Sequence, residues 1–374
     1  MISPEIFYNI LKKSGFNFYT GVPDSLLKDF CAYVSDHTQK SEHVITANEG
    51  NAIALAAGHF LGNKRPAVVY MQNSGIGNAI NPLLSLVDAD VYSIPMILII
   101  GWRGEPGIND EPQHVKQGRI MTQLLDVLEI PWVVIDAESD AETLLNEAVG
   151  KMLKKMSPVA IIIRKGTFKQ YKSYSDTTHN YAMTREQAIS TIVDALPDED
   201  IVVSTTGMAS RELYECRVAK GTNPSNDFLT VGSMGHASSI ALGLASTQLD
   251  RRVICIDGDG SLIMHMGSLA IIAQMAPSNL VHIVINNGAH DSVGGQPTVG
   301  LDVDLIAMAN ACGYKKAVSV KSVDELRRFL LSSIDFKGPI LIEIPVKKGY
   351  RDNLGRPKSS PIENKNVFMA RLGC

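Results

Sequence analysis

The densest chemistry in the chain lies between Asp257 and Asn287. A strand-like run, Arg252 to Ile256, opens into Gly258, Asp259, Gly260 and Ser261. A largely helical stretch follows over 262–280, then a second strand-like run, Val281 to Ile285, and the pair Asn286 and Asn287. This spacing sets a carboxylate and an amide at the ends of neighbouring strands. Mg2+ takes near-octahedral oxygen ligands from a few protein groups plus phosphate oxygens, and glycine neighbours let a diphosphate approach the backbone. Gly-Asp-Gly alone is an ordinary turn; the Asn pair at this distance across two strands gives it chemical meaning. A second acid, Glu49, opens a helical segment of small residues, Ala52, Ala54, Ala56, Ala57 and Gly58. Burial there would raise its pKa and make it a proton donor, while a favourable charge in a first helical turn is the plainer explanation.

Positioning these groups requires a rigid frame, and the chain supplies strand-length apolar runs between helical patterns. In the first half they are Ala67 to Met71, Met96 to Ile100, Trp132 to Ile135 and Ala160 to Ile163. In the second they are Ile201 to Ser204, Arg252 to Ile256, Val281 to Ile285 and Ile340 to Ile344. Their β-branched, non-alternating character predicts strands buried on both faces, hence an α/β protein built from two open parallel sheets. The pattern lapses into polar residues between Lys165 and Thr184. We therefore expect a first domain over 1–165, a linker over 166–184 and a second domain over 185–374, with ligands beyond the carboxyl ends of the strands. The stretch Lys347 to Cys374, rich in Lys, Arg, Asn and Pro, is expected to wrap the surface.

Bulk composition narrows the partners. The 374 residues are long enough for two domains, and the net charge of -4 with 20% charged residues gives no footprint for nucleic acid or an anionic membrane. Cys31, Cys216, Cys255, Cys312 and Cys374 are scattered singly, without a CxxC pair, which fits reduced thiols better than a disulfide frame or a zinc site. The N-terminus mixes Glu5, Lys12 and Lys13 among apolar residues without a signal-peptide cleavage pattern, and no apolar run is long enough to span a bilayer. A cytoplasmic protein is expected.

With GDG followed by NN, the chain resembles the thiamine-diphosphate enzymes. The resemblance implies that Asp259, the Asn287 side chain and the Ala289 carbonyl bind Mg2+, with Gly260 and Ser261 at the diphosphate. The turn Thr205 to Met208, with Thr206 and Gly207, is similar to the family's other diphosphate-facing turn, or is a plain strand-to-helix turn. Glu49 falls in the type of segment where the family places the glutamate that activates the aminopyrimidine. In the segment Gly232 to His236, Met234 would wedge under the bent cofactor and the Gly232 carbonyl would face its exocyclic amine; core filling is the ordinary role of a Met.

The absence of a middle domain resembles the compact phosphonopyruvate and sulfopyruvate decarboxylases, over nearly the whole chain. Supporting segments are Gly21 to Leu27, Met71 to Asn78 with Ser74 and Gly75 at the cofactor, Gly101 to Gly118, and Ala289 to Thr298. The implied activity is decarboxylation of a small, doubly anionic 2-keto acid, with phosphonopyruvate favoured over sulfopyruvate by the SVGGQPT stretch. More distant alternatives are a carboligating synthase or a catalytically silent cofactor-binding protein. Arg103, Gln113, His114 and Lys116, expected within one loop, would hold the substrate anion, although Glu105, Asp110 and Glu111 also suit a solvated loop. Asp24 and Ser25 either handle protons and the departing carboxylate or cap a helix. His114 and His290 are general-acid candidates by their ordinary pKa range, or structural histidines, and Gly294 and Gly295 suggest a mobile segment. The resemblance also implies a homo-oligomer with active sites at the subunit interface, Glu49 and Asp259 of one site coming from different chains.

Overall fold

The computed structural model describes residues 1–174, 180–332 and 337–373. The chain divides into two compact units, Met1–Asp176 and Thr177–Cys374. The first holds strands β1 (Tyr19–Gly21), β2 (His43–Ile45), β3 (Ala67–Gln72), β4 (Met96–Gly101), β5 (Trp132–Ile135) and β6 (Val159–Ile163). The second holds β7 (Ile201–Ser204), β8 (Asp227–Leu229), β9 (Val253–Gly258), β10 (Leu280–Asn286), β11 (Lys316–Ser319) and β12 (Ile340–Pro345). All pairings within both sheets are parallel.

The spatial orders are β2-β1-β3-β4-β6-β5 and β11-β12-β10-β9-β7-β8. Counted from the start of each unit, both sheets read 2-1-3-4-6-5, so the two units repeat one topology that no sequence repeat announces. The blunt apolar runs have a simple cause. Along β3, Ala67, Val69 and Met71 enter one apolar cluster while Val68 and Tyr70 enter another on the opposite face. Along β10, Val281, Ile283 and Ile285 face one cluster and Leu280 and Val284 the other. Side chains alternate across a strand, and with helices on both faces most positions are apolar; the exceptions inside the sheet, such as His282 on β10 and Asp257 on β9, are buried against each other.

Two expectations change. The tail after Lys347 is not all surface wrapping: Ser360 and Glu363 form a capping box with Pro361 in the first turn, and the helix Pro361–Leu372 buries Phe368 in a core cluster of the second unit. The helix Pro112–Val127 starts inside the supposed anion loop, because Pro112 fits a first helical position, so Gln113, His114 and Lys116 are helical and only Arg103 lies in the loop. Over 166–184, where a linker is expected, Phe168 is packed against Phe7 and Phe30 of the first unit. Residues 175–179 of that stretch, and Cys374, lie outside the described residues. Among the described residues no helix is long and apolar enough to cross a membrane.

Candidate active site

The chemistry-bearing residues of both units follow the carboxyl ends of strands. In the first unit Asp24 and Ser25 come after β1, Glu49 after β2, Ser74 and Gly75 after β3, and Arg103 after β4. In the second, Thr206 and Gly207 follow β7, Gly232 and Met234 follow β8, Asp259 follows β9, and Asn287, Ala289 and His290 follow β10. Within each unit the parallel sheet points these ends the same way, which is how residues far apart in that unit's sequence come to share one edge of its sheet.

Glu49 is the first residue of the helix Glu49–Asn63, whose N-cap Asn48 accepts from the Asn51 N–H. Its side chain is buried. Burial raises its pKa, opposed in part by the Asn78 amide, which donates to Oε2 at 2.7 Å. A Cβ on Gly75 would collide with Oε1, so only glycine leaves room for this carboxyl. Ser74 accepts a hydrogen bond from the Gln72 amide at 2.6 Å.

A second cluster in the same unit surrounds Asp24. Its Oδ2 accepts the Leu26 N–H at 2.9 Å, while its buried Oδ1 has no partner within the protein. Burial pushes the carboxyl up to about 6, with backbone amides and Arg103 opposing the shift. The Arg103 guanidinium grips Asp110 through Nε at 2.8 Å and Nη2 at 2.5 Å, and Nη1 donates to Ser25 Oγ at 2.8 Å. Asp110 is thereby held below the usual carboxylate range despite its partial burial. Arg103 is therefore no free cation, as its place in an anion loop suggested. Lys116 is exposed. His114 corrects its general-acid reading as well: burial and the nearby Arg103 charge lower its pKa to about 4, leaving a neutral imidazole whose buried Nδ1 has no protein partner. The buried Gln113 Oε1 also lacks one. Buried polar atoms without partners are rare and mark sites that expect a ligand or water.

In the second unit Ser261 ties three turns together. Its hydroxyl oxygen accepts from Thr205 Oγ1 at 3.0 Å and from the Gly235 N–H at 3.1 Å, leaving its own proton free to donate. The turn Thr205 to Met208, the segment Gly232 to His236 and the Gly-Asp-Gly turn thus meet. Met234 is half-buried between two left-handed residues, Ser233 (φ 57°) and Gly235 (φ 88°), outside the apolar clusters of its unit. Thr206 spends its hydroxyl on the Val231 carbonyl, and Gly207 (φ 93°) lies beside Ser292.

Asp259 begins the helix Asp259–Met264 and is almost fully buried. Burial pushes its carboxyl up to about 6 although Thr298 Oγ1 and the N–H of Asn287 donate to it. A divalent cation beside it would offset that penalty. A Cβ on Gly300 would collide with Oδ2. Of the Asn pair, Asn286 is committed to the fold, its Nδ2 bonding the Gly300 carbonyl and Glu343. Asn287 turns its amide nitrogen to Asp291 and its oxygen toward the Ala289 N–H. The carboxylate, the amide oxygen and the following carbonyl are hard oxygen donors of the kind Mg2+ takes. His290 lies over Gly260, and burial lowers its pKa to about 4, so it too is a neutral imidazole. The segment bearing Gly294 and Gly295 is closed on itself by the bonds His290 N–H to Gln296 O and Thr298 N–H to Gly288 O, at 2.8 and 2.9 Å.

Sequence reasoning missed Asp291, Arg185, Thr298 and Gly300. Asp291 and Thr298 lie within the quoted segment Ala289 to Thr298, but nothing in that stretch distinguished them.

Comparison with known proteins identifies the family. Residues 3–128 match the thiamine pyrophosphate enzyme N-terminal TPP binding domain, and residues 205–344 match the C-terminal TPP binding domain. The chain is 36% identical to phosphonopyruvate decarboxylase of Streptomyces viridochromogenes, covering 95% of this chain and 91% of that protein. It is 35% identical to phosphonopyruvate decarboxylase of Streptomyces hygroscopicus, covering 95% and 90%. Sulfopyruvate decarboxylase of Methanosarcina acetivorans is 30% identical, covering 86% of each chain.

Proposed function

The chain belongs to the thiamine pyrophosphate enzymes, among the phosphonopyruvate and sulfopyruvate decarboxylases, and from that membership we propose that it converts 3-phosphonopyruvate to phosphonoacetaldehyde and CO2. The observation that carries the reading is the combination of a buried Glu49 in one unit with a buried Asp259 and an oriented Asn287 in the other, in a chain matching phosphonopyruvate decarboxylases over 95% of its length. The product would supply phosphonate biosynthesis of the 2-aminoethylphosphonate type.

Mg2+ would be held by Asp259, Asn287 Oδ1 and the Ala289 carbonyl, with Gly260 and the free Ser261 proton at the diphosphate. Thiamine diphosphate, when bound, would supply the sink for the electron pair left behind as CO2 departs. The rest falls to this chain's side chains. Glu49, its pKa raised by burial and its carboxyl confined by Gly75, is the group set to exchange a proton with a ring nitrogen. Asp24, whose unpartnered Oδ1 and raised pKa leave it able to carry a proton near neutrality, is a better proton carrier than His114 or His290. Arg103, fixed by Asp110 and Ser25, orients the substrate's anionic groups with its remaining hydrogen-bonding capacity. His114 adds a neutral partner through its unpaired Nδ1 in the tautomer that carries the proton there, while the unpaired Gln113 Oε1 can only accept, from a hydroxyl or a water.

Each unit carries half of the donor set, which fits a homo-oligomer in which the first unit of one copy works with the second unit of another. We place the enzyme in the cytoplasm. The test is release of CO2 and aldehyde from phosphonopyruvate by the purified protein. Activity should vanish on removal of divalent metal with a chelator and return with Mg2+ and thiamine diphosphate; turnover persisting without both would overturn the assignment.

A further inference from the structure

We propose that Asp291 is a positioning residue for the metal site, dictating which end of the Asn287 side-chain amide is offered to the cation. This rests on the metal-binding reading above. Asn287 Nδ2 donates to Asp291 Oδ2 at 2.7 Å, and Asn287 Oδ1 accepts the Ala289 N–H at 3.1 Å. A carboxylate only accepts and a backbone N–H only donates, so these two contacts admit one orientation of the amide. The flipped amide would set NH2 against a backbone N–H and an oxygen against a carboxylate, and would present donors to a cation.

Asp291 is itself held in place. The same Oδ2 accepts from Arg185 Nη1 at 2.9 Å and from the Gly349 N–H at 3.0 Å. Arg185 in turn grips Glu212 through Nε at 2.8 Å and Nη2 at 3.1 Å. Arg185 opens the helix Arg185–Ala195 and Glu212 sits in the helix Met208–Ala219, so two helices of the second unit anchor the chain of contacts. The three side chains are only 7%, 1% and 6% exposed for Arg185, Glu212 and Asp291. Charged hydrogen bonds at such depth are strong when complete and costly when broken. Hydrogen-bond partners behind metal ligands commonly set affinity by holding the ligand's geometry.

The design of Asp291 separates orientation from charge, because one oxygen receives all three donors. Asp291→Asn can keep an oxygen at that point and lose the charge; Asp291→Ala loses both. The readout is equilibrium binding of Mn2+, as a spectroscopic stand-in for Mg2+, to the intact protein with thiamine diphosphate and no substrate. We expect D291A to weaken Mn2+ binding by roughly 10–100-fold, with kcat largely recovered at saturating metal, and D291N to stay close to wild type. Should D291A not fold, Asp291→Ser serves, its hydroxyl being too short to meet all three donors. Wild-type Mn2+ affinity in D291A or D291S would overturn the proposal, as would D291N falling as far as D291A, which would assign the effect to charge. A wild-type protein that binds Mn2+ and cofactor normally yet leaves phosphonopyruvate untouched would sink the substrate assignment and leave the role of Asp291 standing.

Discussion

Glu49 Oε1 occupies the space into which a Cβ on Gly75 would project. The same relationship recurs at two other carboxylates: Gly101 makes room for Asp24, and Gly300 for Asp259. A buried acid needs a fixed place in a close-packed surround, and in each case a glycine from another segment supplies the missing volume.

Gly75→Ala should therefore act through Glu49. We expect it to lower kcat on the order of 100-fold or more, the scale of a lost proton-transfer group, with Glu49→Gln similar. The double variant should be little worse than either single one, since both remove the same function. Steady-state kinetics of the three variants decide this, and fully additive losses would contradict it.

Gly300→Ala should displace Asp259 and raise the Mg2+ concentration for half-maximal activity by about 10–100-fold. Gly58→Ala, in open space on a helix, is the matched control and should leave that concentration unchanged.

Asp24 predicts a pH-dependent stability difference. Its carboxyl sits at about 6 in the fold against an ordinary 3.8. The fold thus prefers the protonated form: the contribution is fully present below pH 3.8 and is lost as pH rises through 6. Keeping the group ionised above that costs about 3 kcal/mol. Relative to wild type, Asp24→Asn should gain stability progressively between pH 4 and 6 and hold that gain above it, while losing activity. Denaturant melts of both proteins at pH 4 and pH 7.5 measure the change; a difference that does not vary with pH would remove Asp24 from this account.

Arg103 holds Asp110 with two nitrogens and Ser25 with a third. Arg103→Ala should cost about 10–100-fold in kcat/KM for a phosphonate substrate, the worth of one charged hydrogen bond of about 1.5–3 kcal/mol. Arg103→Lys should not restore it, because an ammonium cannot reproduce the fork. Kinetics with phosphonopyruvate check both variants.

Much of this architecture was legible in the sequence, and the gaps have physical reasons. The eight apolar runs correspond to strands because burial on both faces leaves an uninterrupted apolar signal. Of the four strands outside those runs, β1 is a three-residue strand, and β2, β8 and β11 are sheet edges of three or four residues. β2 and most of β11 are only half-buried, and the short β8 opens on Asp227; these three edges are too short or too interrupted for a run to mark them, whereas the fourth edge, β5, keeps its apolar run. Asp259 and Asn287 could be read because their spacing is local to one strand-helix-strand unit. Asp291 could not, since its meaning comes from Arg185, 106 residues earlier in the chain. The anion loop was misread for want of one detail, the helix that Pro112 starts, and the free charge assigned to Arg103 was misread because Asp110 looked like solvated acid rather than its partner.

The central claim is the substrate, and competition between the two candidate acids tests it directly. Phosphonopyruvate and sulfopyruvate would be supplied side by side to the purified protein with Mg2+ and thiamine diphosphate, and CO2 and the corresponding aldehydes measured. We predict a kcat/KM for phosphonopyruvate well above that for sulfopyruvate, with phosphonoacetaldehyde released free. Preference for sulfopyruvate, or turnover of neither, would contradict it.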